Sequence, residues 1–339
     1  MNNPAIIEKI AHSIHLAQEG KTSSEVIYFS FESAEPQHEF LFFIKPEITL
    51  QSDQINVEAI LDLVFEKFGQ YDFRIKDIRI LTASYLEKYD IIAQHYGVIN
   101  ALSRKPYEFL SNDAVNKFRS LYGKGPDQVT LLGSIEFLRR FPGFTPFSLD
   151  LFWQNSKTEK LAGGTYCSVV SVEGKDIYLI NGFHPKQLMH FTEKGHSIVA
   201  FTLTGKLNWA IARNHFIGKT NPADAVSGSL RNELLNRKQE FGLQMVSSSQ
   251  NGFHLSAGPV EGLVELIRYC SDYAIGAVKT PDDFVFGRQL KSHFSQEDIG
   301  LICSNQLVVH KGEKIRTFDL TEERNSSAAL QMLKESVFI

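Results

Sequence analysis

With 339 residues, 43% of them hydrophobic and 22% charged, the chain has the make-up of an ordinary globular protein, long enough for one elaborated domain or two. A formal net charge of -4 offers no basic field for a nucleic acid or an anionic membrane, although a small basic pocket for one nucleotide needs no net charge. Cys167, Cys270 and Cys303 fall at no CxxC or zinc spacing, so packed thiols in a reducing compartment are expected. No apolar run has the length of a secretory signal or a membrane span, which predicts a soluble, cytoplasmic protein.

In chain order, residues 4–19 read as a helix closed by Gly20, and VIYFSF as a strand. The apolar run FLFFIKP at 40–46 has the pattern of a buried strand. Val57, Ile60, Leu61, Val64, Phe65 and Phe68 fall on one face of a helix, with Gly69 to turn its end. FRIKDIRIL follows as a strand. Ser84 and Glu87 then have capping-box spacing, before a helix that puts Leu86, Tyr89, Ala93 and Tyr96 on one side.

Residues 102–182 carry many Pro and Gly punctuators and an aromatic patch, and end in a hairpin turning at Glu173-Gly174. Their apolar content predicts a packed block. Beyond them come a helix opened by Pro185, the strand SIVAFTLTG, and the helix KLNWAIARNHFIG. PVEGLVELIRYC reads as a helix with Val260, Leu263, Val264 and Ile267 on its buried stripe, and the tail from 276 onward as mixed structure ending in the helix SSAALQMLKE. His184, His190 and His196 read as structural, and no metal ligand set is expected. With 102–182 set aside, the order predicts an α+β fold, helices on a mostly antiparallel sheet.

GKTNPADAVSGSLRNE at 218–233 begins as a phosphate-binding P-loop ends, yet Arg213 stands where the first glycine of such a loop belongs, and a helix precedes it instead of a strand. Further on, NGFHLSAGPVEGLVEL sets Asn251, His254, Ser256 and Glu265 at fixed offsets. These segments resemble the nucleoside diphosphate kinase family. That family has Gly-Glu-Thr-Asn-Pro-Ala-Asp where this chain has residues 218–224, then Gly-Thr-Ile-Arg where it has 228–231, and the same offsets around its active-site histidine. Ile44-Lys45-Pro46 matches the end of the family's first strand, and His95-Tyr96 a helical pair. The resemblance covers 39–101 and 183–275, under half of the chain.

It implies a ferredoxin-like βαββαβ core in 39–101 and 183–275, an N-terminal extension 1–38, an inserted subdomain 102–182 and a C-terminal extension 276–339. It also implies a phosphotransferase: His254 takes the γ-phosphoryl of ATP or another nucleoside triphosphate, with Mg²⁺ bridging the phosphates, and passes it to a nucleoside diphosphate or related acceptor. Ser256 and Glu265 would anchor the ring, with the reacting nitrogen left open. Lys45, Arg231, Thr220 and Asn251 would bind phosphates and sugar, Tyr96 would give its hydroxyl to a phosphate, and Phe183 would stack on the base. The alternative is a non-catalytic nucleotide-binding or regulatory protein on the same fold.

Three departures stand out. The family's phosphate-binding Arg, six residues before the Thr, is Asn214 here, with Arg213 one place earlier. Either a one-residue bulge restores its aim, or the contact is lost. Leu255 replaces a glycine, which forces a rearrangement if the backbone there meets another segment. The insertion enters beside the nucleotide cleft, as a lid, a specificity element or the seat of a second partner, and the additions occupy faces on which the family forms homo-oligomers.

Overall fold

The computed structural model describes residues 4–20, 24–30, 37–50 and 54–339, so Phe31, the last residue of the expected VIYFSF strand, lies outside it. Two compact units emerge, one of residues 1–85 and 194–339, the other of 86–193. No helix among the described residues is long and apolar enough to cross a membrane.

In the first unit, strands β1 (Ser24–Phe29), β2 (His38–Ile44), β3 (Arg74–Thr82), β4 (Ser197–Gly205) and β5 (Phe253–Leu255) form one sheet in the order β1-β3-β4-β2-β5. Every neighbouring pair is antiparallel. The last four strands have the connectivity and order of the ferredoxin-like βαββαβ core, and β1 extends its edge. Helix α1 (Pro4–Gln18) and helix α2 (Val57–Gln70) cover one face with Ile7, Ile10, Ile14, Leu61, Val64, Phe65 and Phe68. Strand β2 is buried along its whole length, because the other face lies under helix α4 (Pro259–Cys270), which follows the short helix α3 (Leu230–Asn236).

Several local expectations are corrected. Helix α2 runs past Gly69 to Gln70, and the left-handed residue after it is Asp72, at φ 54°. Ser84 is not a cap: the helix starts at Ala83, and the Tyr85 amide donates to Thr82 Oγ1 at 3.4 Å. The helix expected to carry Tyr89 to Tyr96 breaks at Asp90, in the left-handed region at φ 52°, into Ala83–Lys88, Ile91–His95 and Gly97–Arg104. On α4 the buried apolar residues are Val260, Leu263, Leu266, Tyr269 and Cys270. Val264 and Ile267 are only partly covered, because the helix packs on the β2 side and against C-terminal helices at once.

The 86–193 unit has a mixed sheet of Leu131–Gly133, Lys175–Ile180, Thr165–Val172 and Thr158–Ala162, whose first pair is parallel. Its hairpin turns at Glu173-Gly174, both at positive φ, as the sequence predicts. Two apolar clusters pack it, one around Phe118 and Leu131, the other around Phe137, Leu149 and Leu179. All three cysteines are free thiols.

Phe68 is fully buried, and its ring meets those of Phe42, Phe65, Phe73, Phe201 and Phe216. Phe68→Ala should cost about 3–5 kcal/mol. Ile275→Ala, at a side chain 78% exposed, should stay within about 0.5 kcal/mol. Denaturant melts of the two variants against the parent check the contrast.

Candidate functional site

The site is built on β5, the edge strand beyond β2. The register pairs Phe42 with Leu255, Phe43 with His254 and Ile44 with Phe253. Alternation along a strand therefore sends Phe253 and Leu255 into the core under α1 and α2, and His254 to the α4 face. Leu255 needs no rearrangement: it is fully buried in that core. The His254 ring stacks on Phe43, its cross-strand partner, at 4.5 Å between centroids and 20° between planes.

Glu265 of α4 meets that ring. Its two carboxylate oxygens lie 3.0 and 3.1 Å from His254 Nε2, and Ser256 Oγ donates to the second at 2.6 Å. The Glu265 side chain is 2% exposed and that of His254 17%, so the pair is sheltered but reachable. Burial lowers the His254 pKa. Glu265 opposes that, and Lys45 and Arg213 lower it further.

An edge strand leaves alternate carbonyls without a ladder partner. Here guanidinium groups take them. Arg231 donates from Nη2 to Phe253 O at 2.8 Å and from Nη1 to Gly218 O at 2.9 Å. Arg213 donates from Nη1 to Leu255 O at 2.8 Å. The two outward carbonyls flanking His254 thus draw one arginine to each side of it. Both Nε atoms remain buried without a hydrogen-bond acceptor among the described residues.

Arg213 reaches this place through an irregular helix. Asn208 caps the turn Trp209–Ile211, accepting from Ala210 N at 2.9 Å. Residues Ala212–Ile217 then form a π-turn, which takes up one residue more than an α-turn. The turn thus holds one residue more than a regular helix would, with Arg213 second in it. The chain leaves it at Gly218, whose φ of 87° favours glycine and where a Cβ would collide with Ser229 and Ala225.

Lys45 follows β2, and its Nζ donates to Asn251 Oδ1 at 2.6 Å. Asn251 in turn donates from Nδ2 to Thr220 O at 3.0 Å and Ser248 O at 3.1 Å, tying the 218–224 loop to the cluster. Thr220 itself is exposed. Burial, with Arg231 nearby, lowers the Lys45 pKa to about 8 against the pull of Glu47. Burial and Arg213 bring Arg231 down to about 9. Tyr96 and Phe183 belong to the other unit. There Tyr96 lies beside His95, His184 and Phe191, and Phe183 beside Trp153 and Tyr166.

The sequence reading missed four contributors. Phe43 supports the imidazole. Glu47 Oε1 accepts from Gly252 N at 2.8 Å and holds the turn before β5. Glu261, one turn before Glu265, has its pKa raised to about 8 by burial and by the carboxylates of Glu265, Glu322 and Asp319. Asn214 anchors the π-turn. Strand alternation could have flagged Phe43, whereas the other three depend on contacts between distant segments or on the π-turn.

A scan against protein-family models and a search of curated proteins both return no match. Among solved structures, the chain is similar to apo nucleoside diphosphate kinase from Encephalitozoon cuniculi, at 13% identity and a TM-score of 0.34, over 69% of this chain and 90% of that one. It is similar also to an NDP kinase from Pyrobaculum aerophilum, at 14% identity and a TM-score of 0.34, over 72% of this chain and 100% of that one.

Two desolvated cations and a third beside them favour an anionic ligand. The sign follows from Lys45. Its folded pKa, about 8, lies below the ordinary 10.5. The charged form therefore costs stability below pH 8, and that cost fades as pH rises from about 8 to 10.5. A bound anion raises the pKa again, so binding above pH 8 takes up a proton. The affinity for sulfate, an anion with no ionisation of its own in this range, should fall by up to about tenfold per pH unit above 8. Calorimetry in two buffers of different ionisation enthalpy should show proton uptake at pH 9, which Lys45→Met should reduce, Arg231 supplying what remains.

Proposed function

We propose that the protein is a phosphotransferase that carries the γ-phosphoryl of a nucleoside triphosphate, bound with Mg²⁺ as substrate, on His254 and passes it to a nucleoside diphosphate or related acceptor. The observation that carries the reading is the His254–Glu265–Ser256 array set between Arg213, Arg231 and Lys45.

Its chemistry supports this role. Glu265 accepts a hydrogen bond from Nε2–H, which leaves the lone pair on Nδ1. The lowered pKa keeps the ring neutral near pH 7, as a nucleophile must be. Nδ1 forms the N–P bond while the bond from the γ-phosphorus to the bridging oxygen breaks, and the diphosphate leaves with that electron pair. The imidazolium formed is stabilised through Nε2–H by Glu265, which Ser256 holds in place. Lys45, Arg213 and Arg231 neutralise phosphate charge, the main task of a protein in phosphoryl transfer. The acceptor reverses the step.

Incubation with γ-labelled ATP and Mg²⁺ should give an acid-labile, alkali-stable label that His254→Ala abolishes. Glu265→Gln should slow labelling by about 10²–10⁴-fold, in the range of a positioned acid–base group. Wild-type protein that binds ATP yet takes up no label would support the non-catalytic reading instead.

A further inference from the structure

The C-terminal residues 276–339, to which the sequence assigns no role, meet the candidate site at 317–325. Glu323 sits at φ 56° and donates its amide to Ala257 O at 2.9 Å, just past the strand that carries His254. Its carboxylate accepts from Asn214 Nδ2 at 3.2 Å. Asn214 Nδ2 also donates to Ala210 O at 2.9 Å, so its two hydrogens tie the π-turn to the helical turn before it and to Glu323. Asn325 Oδ1 accepts from Trp209 N at 3.1 Å, at the head of the same helix. Gly258 runs so close to 321–322 that a Cβ would collide with the Thr321 carbonyl.

One short segment thus grips both the turn that aims Arg213 and the chain leaving β5. Asn214, which displaces the expected arginine, is the residue through which the grip acts. We propose that the C-terminal segment 317–325, through Glu323 and Asn214, is a positioning element that fixes the π-turn and so the place of the Arg213 guanidinium beside His254. Its catalytic consequence rests on the phosphotransfer reading; the clamp itself does not.

The test uses the full-length chain, with hydrogen exchange followed in the peptide covering 209–217 and Mg·ATP affinity measured alongside. Glu323→Ala should speed exchange in that peptide and weaken Mg·ATP binding roughly five- to tenfold, the size of a typical coupling between residues in contact. Glu323→Gln keeps an oxygen that accepts from Asn214 and shares the same backbone strain, so it should stay within about twofold of the parent. In an Arg213→Ala background, Glu323→Ala should weaken binding no further. Unchanged exchange in Glu323→Ala, equal damage from the Gln variant, or an additive loss in the Arg213→Ala background would each overturn the proposal. If the parent binds no nucleotide, the phosphotransfer reading fails while the exchange measurement still decides the clamp.

Discussion

The site depends on the pairing of three residues of β5 with the end of β2. That register decides everything near the imidazole. It puts Phe253 and Leu255 into the core, turns His254 to the face where α4 brings Glu265, and lays the ring on Phe43. A slip of one residue would bury the histidine among phenylalanines and turn its neighbours toward α4. Because β5 is an edge, the carbonyls of Phe253 and Leu255 need donors from outside the sheet, and Arg231 and Arg213 supply them. The same hydrogen bonds that satisfy an open edge place positive charge on both sides of the histidine.

This arrangement costs stability. Arg231 is 5% exposed, and its pKa and that of Lys45 are pulled down toward neutrality. Such charges are retained against their desolvation when a ligand repays it. Glu47 and Glu265 offset part of the excess, but each carboxylate is already held, by the Gly252 amide and by His254 with Ser256. The cluster suits a polyanion that arrives with its own charge, and in the proposed phosphotransfer the neutral imidazole is the nucleophile.

Much of this was legible in the sequence, for local reasons. The period of Ile60 to Phe68 gave α2, the apolar run 40–44 gave β2, and PVEGLVELIRYC matches α4 from end to end. The offsets of Asn251, His254, Ser256 and Glu265 are legible because strand, turn and helix follow one another within sixteen residues. What was not legible is non-local or irregular. A π-turn has no period of its own in the sequence, so the aim of Arg213 stayed open. The break at Asp90 rests on a left-handed residue that no glycine announces. Glu323 lies 109 residues from the asparagine it holds, and only the folded chain brings them together.

The account turns on the protonation state and tautomer of His254. The most direct measurement is the ¹⁵N spectrum of the histidine-labelled protein across pH, with His254 assigned by substitution. The account predicts a neutral ring at pH 7, with its proton on Nε2 and its lone pair on Nδ1, that titrates below the ordinary 6.5. An imidazolium at pH 7, or a neutral ring with its proton on Nδ1, would contradict it.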